Sequence, residues 1–338
     1  MTPRIIYLSP ADDVPTGGIK VIYRHAEMLT ALGAEAFVLH PFDASFRCTW
    51  FSHTTRFRDS LTLDPLTDLV VIPELWAGVF GPQCLQQKIR YAIFVQNGYL
   101  THPVLPQLSA ALMDTVYRGA DLVLAISDDT ALMVTLNYPG LDPTRVLRTR
   151  YSVSERFLST GHAAQAPPRG QTITYMPRKM GTHAMRVVFA LGQHLPAGWQ
   201  IMPIQNVDEA TCAKILFTSS IFLAFSDFEG LPLPPLEAAL AGNLVIGYTG
   251  QGARESWDAP NFQEIHQGDI RGFVTAAVHA ARQIDALRLT RADLAPGIDR
   301  LTARYSPAAE VANLRVLLDR IQCCFDGAPA GAPVAELV

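Results

Sequence analysis

Short apolar runs recur along the chain, each closed by a polar residue, glycine or proline. In the first half they are Ile5-Ile6-Tyr7-Leu8, Ala36-Phe37-Val38-Leu39, Leu69-Val70-Val71-Ile72, Tyr91-Ala92-Ile93-Phe94-Val95 and Leu122-Val123-Leu124-Ala125-Ile126. In the second half they cluster at 172–177, 200–206, 221–225, 243–248 and 262–265. Continuous apolar runs of this length read as strands buried on both faces. Between the first two, Ile19, Val21, Ile22, His25, Met28 and Leu29 follow helical spacing, opened by Thr16-Gly17-Gly18 and ended by Gly33. Further helices are expected over 105–118, 130–136 (capped by Ser127 or Asp128), 185–195, 270–289 and 307–322. Strand–helix alternation predicts parallel α/β sheets, wound twice along the chain.

At 338 residues the chain has room for two ordinary domains. Residues 162–170, with Pro167-Pro168 and several alanines, read as the linker. The expected division is a first domain over 1–160 and a second over 171–305. A C-terminal helix over 306–325 then packs back toward the first domain, and 326–338 form a flexible tail. From Arg178 to Ser226 the chain looks one β–α unit short, so the second domain is expected to be trimmed.

A hydrophobic content of 49% against 17% charged describes a globular protein. The net charge of −4 argues against a nucleic-acid partner. Five scattered cysteines without a C-x-x-C pair suggest neither a zinc site nor a disulfide framework, which fits a reduced, cytoplasmic setting. The first apolar run is too short for a signal sequence, and no run approaches the ~18 apolar residues of a spanning helix. Peripheral contact with the inner face of a membrane stays compatible with the sequence.

Candidate chemistry concentrates at 226–242, Ser-Asp-Phe-Glu-Gly-Leu-Pro-Leu-Pro-Pro-Leu-Glu-Ala-Ala-Leu-Ala-Gly, between two predicted strands. Pro235 suits the first helical position, Glu237 then falls in the first turn, and Gly242 suits the C-terminal cap. Glu229 comes to lie in a loop at a strand's carboxyl end, where ligands sit in open α/β sheets. Taken singly, each glutamate has a plain reading, a solvated loop residue and a helix-start residue.

The two glutamates, separated by seven residues around Glu-Gly-Leu-Pro, resemble the E-x7-E signature of retaining GT-B glycosyltransferases, most like family 4. The likeness runs on through Glu237-Ala238-Ala239-Leu240-Ala241-Gly242 and Thr249-Gly250-Gln251-Gly252-Ala253-Arg254-Glu255. It implies two Rossmann-like domains facing a central cleft. It also implies transfer of a sugar from a nucleotide-diphosphate donor, with retention, to a glycan or lipid-linked acceptor such as a cell-surface polysaccharide precursor. Glu237 would hold the ribose and Glu229 the donor sugar, with Phe228, Gly230, Leu231 and Pro232 lining the donor.

Two adjacent cations at a strand end, Arg178 and Lys179, suit a diphosphate, although the family's glycine is here Pro177 and the pair is contiguous. No Asp-x-Asp pair occurs, so no metal or other cofactor is expected. Gly17 and Gly18 suit an anion at a helix start but form no G-x-G-x-x-G fingerprint. Gln96, Asn97 and His102 follow the fourth strand, and the resemblance points to a polar group or histidine near the transferred sugar there. Gln205 and Asn206 stand where the family reads the nucleobase; Asn206 serves equally as a cap for a helix from Val207. Two other readings stay open: a GT-B scaffold that binds nucleotide or glycan without turnover, and a nicotinamide-dependent oxidoreductase, which the missing glycine fingerprint disfavours.

Overall fold

A computed structural model describes residues 3–14, 16–103, 108–158, 170–258, 260–326 and 335–337. The linker expected at 162–170 lies almost wholly outside them. The chain forms two compact units, residues 1–151 with 310–338, and residues 152–309.

In the first unit the elements are β1 (Arg4–Leu8), α1 (Gly17–Ala31), β2 (Glu35–Leu39), β3 (Thr62–Leu63), β4 (Asp68–Pro73), α2 (Ala77–Gln87), β5 (Arg90–Val95), α3 (Ala110–Gly119), β6 (Leu122–Ala125), α4 (Asp128–Asn137) and β7 (Val146–Arg148). Their six-stranded sheet runs β2-β1-β4-β5-β6-β7, parallel throughout. All six residues of β4 are buried, as a central parallel strand requires. Two helices depart from the expected outline. α2 carries Pro82 in its interior, and its glycines serve packing. A Cβ at Gly78 would stand 2.6 Å from the Leu108 side chain, and one at Gly81 2.4 Å from Val116, so only glycine lets α2 lie this close to the α3 segment. Helix α3 starts at Ala110, with the Ser109 hydroxyl accepting from Leu112 N, and the four residues before Leu108 lie outside the described ones.

The second unit contains β8 (Thr172–Tyr175), α5 (Gly181–Gly192), β9 (Gln200–Pro203), α6 (Glu209–Thr218), β10 (Ile221–Ala224), α7 (Leu233–Leu240), β11 (Leu244–Gly247), β12 (Phe262–Glu264), α8 (Ile270–Asp285) and α9 (Arg291–Arg304). Its sheet has five parallel strands in the order β12-β11-β10-β8-β9. Strand β10 shows why both faces must be covered. Ile221 and Leu223 enter one core with Val187, Phe273 and Ala277, while Phe222 and Ala224 enter the other with Leu216, Leu236 and Leu301. Fully burying each of the Ile, Leu and Phe side chains contributes about 1.5–3 kcal/mol. Helix α9, with Pro296 inside it, is a further element that the apolar pattern did not suggest.

Helix α10 (Pro307–Phe325) follows, and Glu310 near its start accepts from Arg24 Nε at 2.9 Å within the first unit. Most of the flexible tail expected over 326–338 lies outside the described residues. β13 (Ala335–Glu336) pairs antiparallel with β3, and Leu337 is buried in the first unit's core beside Leu63. Among the described residues, no helix is long and apolar enough to cross a membrane.

Candidate functional site

In the second unit the candidate residues gather at the carboxyl edge of the sheet, in the loops after β8, β10 and β11. Parallel strands all deliver their following loops to one edge, which is why residues 50 positions apart meet. Lys179, after β8, forms an ion pair and hydrogen bond with Glu229 Oε2, after β10. The carboxylate side chain is 15% exposed and the lysine 46%, so the pair sits at a mouth rather than in a core.

The loops after β10 and β11 are laced by backbone. Glu229 N donates to Gly250 O at 2.9 Å, Gly252 N donates to Glu229 O at 3.1 Å, and Glu229 and Gln251 form an isolated parallel bridge. A Cβ at Gly252 would lie 1.8 Å from Gly230 O, so this approach demands glycine. A fourth loop joins after β12, where Gln267 Nε2 donates to Asp227 Oδ1 at 2.9 Å.

Five described non-glycine residues have positive φ: Lys88, Met180, Asn206, Gln251 and Leu287. Lys88 caps α2 and Leu287 follows α8. The other three stand on this one edge, after β8, β9 and β11. Left-handed backbone at residues with a Cβ costs of order 1 kcal/mol and tends to be kept where function holds it.

Arg178 is exposed and makes neither ion pair nor side-chain hydrogen bond with the described residues. Phe228 is 55% exposed, Gly230 and Pro232 are buried, and Leu231 is half-buried. Glu237 is not in the first turn of its helix. α7 begins at Leu233 after Pro232, so Pro235 is its third residue and Glu237 its fifth. Glu237 is half-buried there, close enough to help push the Cys212 thiol up to about 12, after the larger effect of burial. Gly242 does follow the helix with φ 92°. Gln205 and Asn206 are exposed after β9; Asn206 does not cap α6, because Asp208 does, accepting from Thr211 N at 2.7 Å.

In the first unit the corresponding edge carries a second group. Gln96 Nε2, half-buried after β5, donates to Gly18 O at 3.2 Å, tying the β5 loop to the first turn of α1. Gly17 is exposed beside it. The Asn97 side chain accepts from Tyr99 N at 3.0 Å and caps a short 3-10 turn. His102 is exposed, its Nδ1 2.9 Å from Tyr99 O.

Sequence reasoning passed over Glu74, at the end of β4. It is buried, accepts from Asn97 N at 3.0 Å, and burial raises its carboxyl to about 7 despite backbone hydrogen bonds that pull the other way. An acid at a strand end was visible in the sequence; its burial was not. His183 and Tyr248, hydrogen-bonded at 2.6 Å, were also passed over, since nothing in the sequence links positions 65 residues apart. Among the described residues, no group of three or more His, Cys, Asp and Glu side chains is arranged to hold a metal ion.

No protein-family model matches the sequence, and no curated protein matches it significantly. Solved structures do resemble it. Sucrose-phosphate synthase from Thermosynechococcus elongatus superposes with a TM-score of 0.68 at 14% identity, covering 95% of this chain and 100% of that one. HepE of Anabaena, solved in complex with UDP, gives 0.67 at 11% identity over 95% and 100%. The lipopolysaccharide outer core galactosyltransferase WaaB gives 0.64 at 13% identity over 95% and 99%. With its two parallel α/β units, the chain therefore has the fold of the GT-B glycosyltransferases.

Proposed function

We propose that the protein is a retaining glycosyltransferase that moves a sugar from a nucleotide-diphosphate donor to a glycan or lipid-linked acceptor. The observation that carries this reading is the Lys179–Glu229 contact, which joins a cation from one loop to a carboxylate from another at the ligand-binding edge of a parallel sheet. An exposed pair of this kind adds little stability, so its value lies in what each group does when separated. Donor binding exchanges their partners. Lys179 and Arg178 take the diphosphate oxygens, and Glu229 takes hydroxyls of the sugar. The bond between the anomeric carbon and the phosphate oxygen breaks, with its electron pair passing to the diphosphate. The acceptor hydroxyl bonds to that carbon on the same face, and its proton passes to the leaving phosphate. The two cations stabilise the charge that develops on the diphosphate, a role assigned to side chains and not to a metal.

Glu237 is assigned to the ribose hydroxyls, Gly17-Gly18 to the donor phosphate or the acceptor, and Gln96, Asn97 and His102 to the transferred sugar. Support comes from the neighbours: HepE is solved with UDP, UDP-glucose, and UDP with glucose, and a pneumococcal O-GlcNAc transferase with UDP and GlcNAc. The test is a thermal-shift screen of UDP-, GDP-, dTDP- and CMP-linked sugars, followed by nucleotide release with and without EDTA. The expected result is stabilisation by one donor class and EDTA-insensitive release that Glu229→Gln and Lys179→Met abolish. Donor binding without turnover on any glycan acceptor would instead favour a GT-B binding protein.

A further inference from the structure

The three loops that carry the second-unit candidates rise from one aromatic block. Phe225 closes β10 immediately before Ser226-Asp227-Phe228-Glu229, and it stacks on Phe273 of α8 at 5.0 Å and 19°. Tyr248 closes β11 immediately before Thr249-Gly250-Gln251-Gly252, and it meets Phe273 edge-on at 5.3 Å. His183, in the first turn of α5, lies 6.3 Å from Phe225 and 5.3 Å from Tyr248, ring centre to ring centre. Tyr248 is 1% exposed, and its backbone N donates to Ala224 O at 2.9 Å, so its ring is fixed to the sheet.

The chain between Lys179 and His183 is a single tight turn. Met180 is left-handed at φ 51°, and its carbonyl accepts from His183 N at 2.9 Å and Ala184 N at 2.8 Å. A displacement of His183 is thereby transmitted to Lys179. Among the described residues, the His183 side chain makes its polar contact through Nε2, with the Tyr248 hydroxyl at 2.6 Å. A phenol is both donor and acceptor, so it pairs with the ring nitrogen in either tautomer. Burial, and after it the Arg186 cation, favours the neutral imidazole.

We propose that the Tyr248–His183 hydrogen bond is a positioning tie that holds the Arg178-Lys179 turn against the Glu229 loop and so sets the affinity of this edge for a diphosphate-bearing ligand. Neither residue touches the ligand; both act through Lys179. The tie is a feature of the fold, and its consequence for a diphosphate rests on the glycosyl-transfer reading.

The test separates the two. A zero-length carbodiimide couples a lysine amine to a carboxylate in contact with it, so the intact protein should yield a Lys179–Glu229 isopeptide cross-link detectable by mass spectrometry. Tyr248→Phe keeps the ring stacking and removes only the hydroxyl. It should lower that cross-link about fivefold, the population change expected for one net hydrogen bond, with unchanged far-UV circular dichroism. His183→Ala should do the same, and His183→Gln, which returns an acceptor near the Nε2 position, should restore it. In kinetics with the donor found by the nucleotide-sugar screen, Tyr248→Phe should raise KM about fivefold and leave kcat within about twofold. An undiminished Lys179–Glu229 cross-link in both Tyr248→Phe and His183→Ala overturns the tie. A diminished cross-link with unaltered donor KM leaves the tie standing and overturns its role in diphosphate affinity, whereas absence of any donor turnover would overturn the glycosyl-transfer reading instead.

Discussion

Substituting Gly252 by alanine tests the close approach on which the site's geometry depends. No left-handed backbone complicates this position, so the perturbation is purely steric. The added methyl would stand 1.8 Å from Gly230 O and 2.4 Å from Glu229 O, both backbone atoms that no rotamer change can move. Relief to an ordinary contact of about 3.4 Å requires the loops after β10 and β11 to part by roughly 1.6 Å. Such a shift breaks the Gly252–Glu229 and Glu229–Gly250 hydrogen bonds, of 3.1 and 2.9 Å. At about 1 kcal/mol each, with about 1–3 kcal/mol for overpacking, the cost is about 3–5 kcal/mol. For a unit of this size that lowers Tm by at least about 6 °C. A misplacement of 1 Å or more at the reacting groups should also reduce donor turnover about 100-fold. Differential scanning calorimetry measures the first effect and initial-rate assays the second. Gly192→Ala is the control, because a Cβ there meets nothing within 4 Å; it should leave Tm unchanged or slightly raised. A Gly252→Ala protein melting within a degree of the parent would refute the reasoning.

Lys179→Met should abolish sugar transfer while shifting Tm by no more than about 4 °C, since the half-exposed ion pair contributes about 1 kcal/mol or less; a larger Tm loss in thermal melts would make the residue structural. Two buried groups in the first unit should oppose each other in the pH dependence of stability. Glu74, raised from 4.5 to about 7, favours the fold fully below pH 4.5 and ceases to as pH rises through 7. His25, lowered by burial from 6.5 to about 4, favours it above pH 6.5 and ceases to as pH falls toward 4. Each shift corresponds to about 3 kcal/mol. Glu74→Gln should therefore make stability rise more steeply between pH 4.5 and 6.5 than in the parent, by urea denaturation; an identical slope would show that Glu74 does not titrate there. Leu337→Ala should cost about 2–4 kcal/mol, because the side chain is 3% exposed within the first unit's core, and a denaturation midpoint equal to the parent's would return this residue to a loose tail.

Much of the candidate site could be read along the chain because its residues are close in sequence. The run from Ile221 to Gly242 announces a strand, a turn and a helix, and parallel topology then dictates the edge on which Glu229 lies. What the run does not announce is where α7 begins. The first four N–H groups of any helix lack intrahelical partners, so proline is tolerated throughout its first turn. Pro234 and Pro235 therefore fitted either start, and Glu237 moved into the second turn. Helices α2 and α9 escaped notice for a related reason. Pro82 and Pro296 break the local pattern, and only packing against neighbours, through Gly81 in the first case, keeps each helix intact.

Hydrophobic periodicity by itself determined that this protein would be built from two parallel sheets, because buried strands and amphipathic helices leave a local imprint that burial energetics enforce on every short stretch. Tertiary structure alone decided that Lys179 reaches Glu229, that Tyr248 holds His183, and that Glu74 loses its water. Those facts depend on atoms distant in sequence being brought within 3 Å or so, a proximity that strand order and loop reach create.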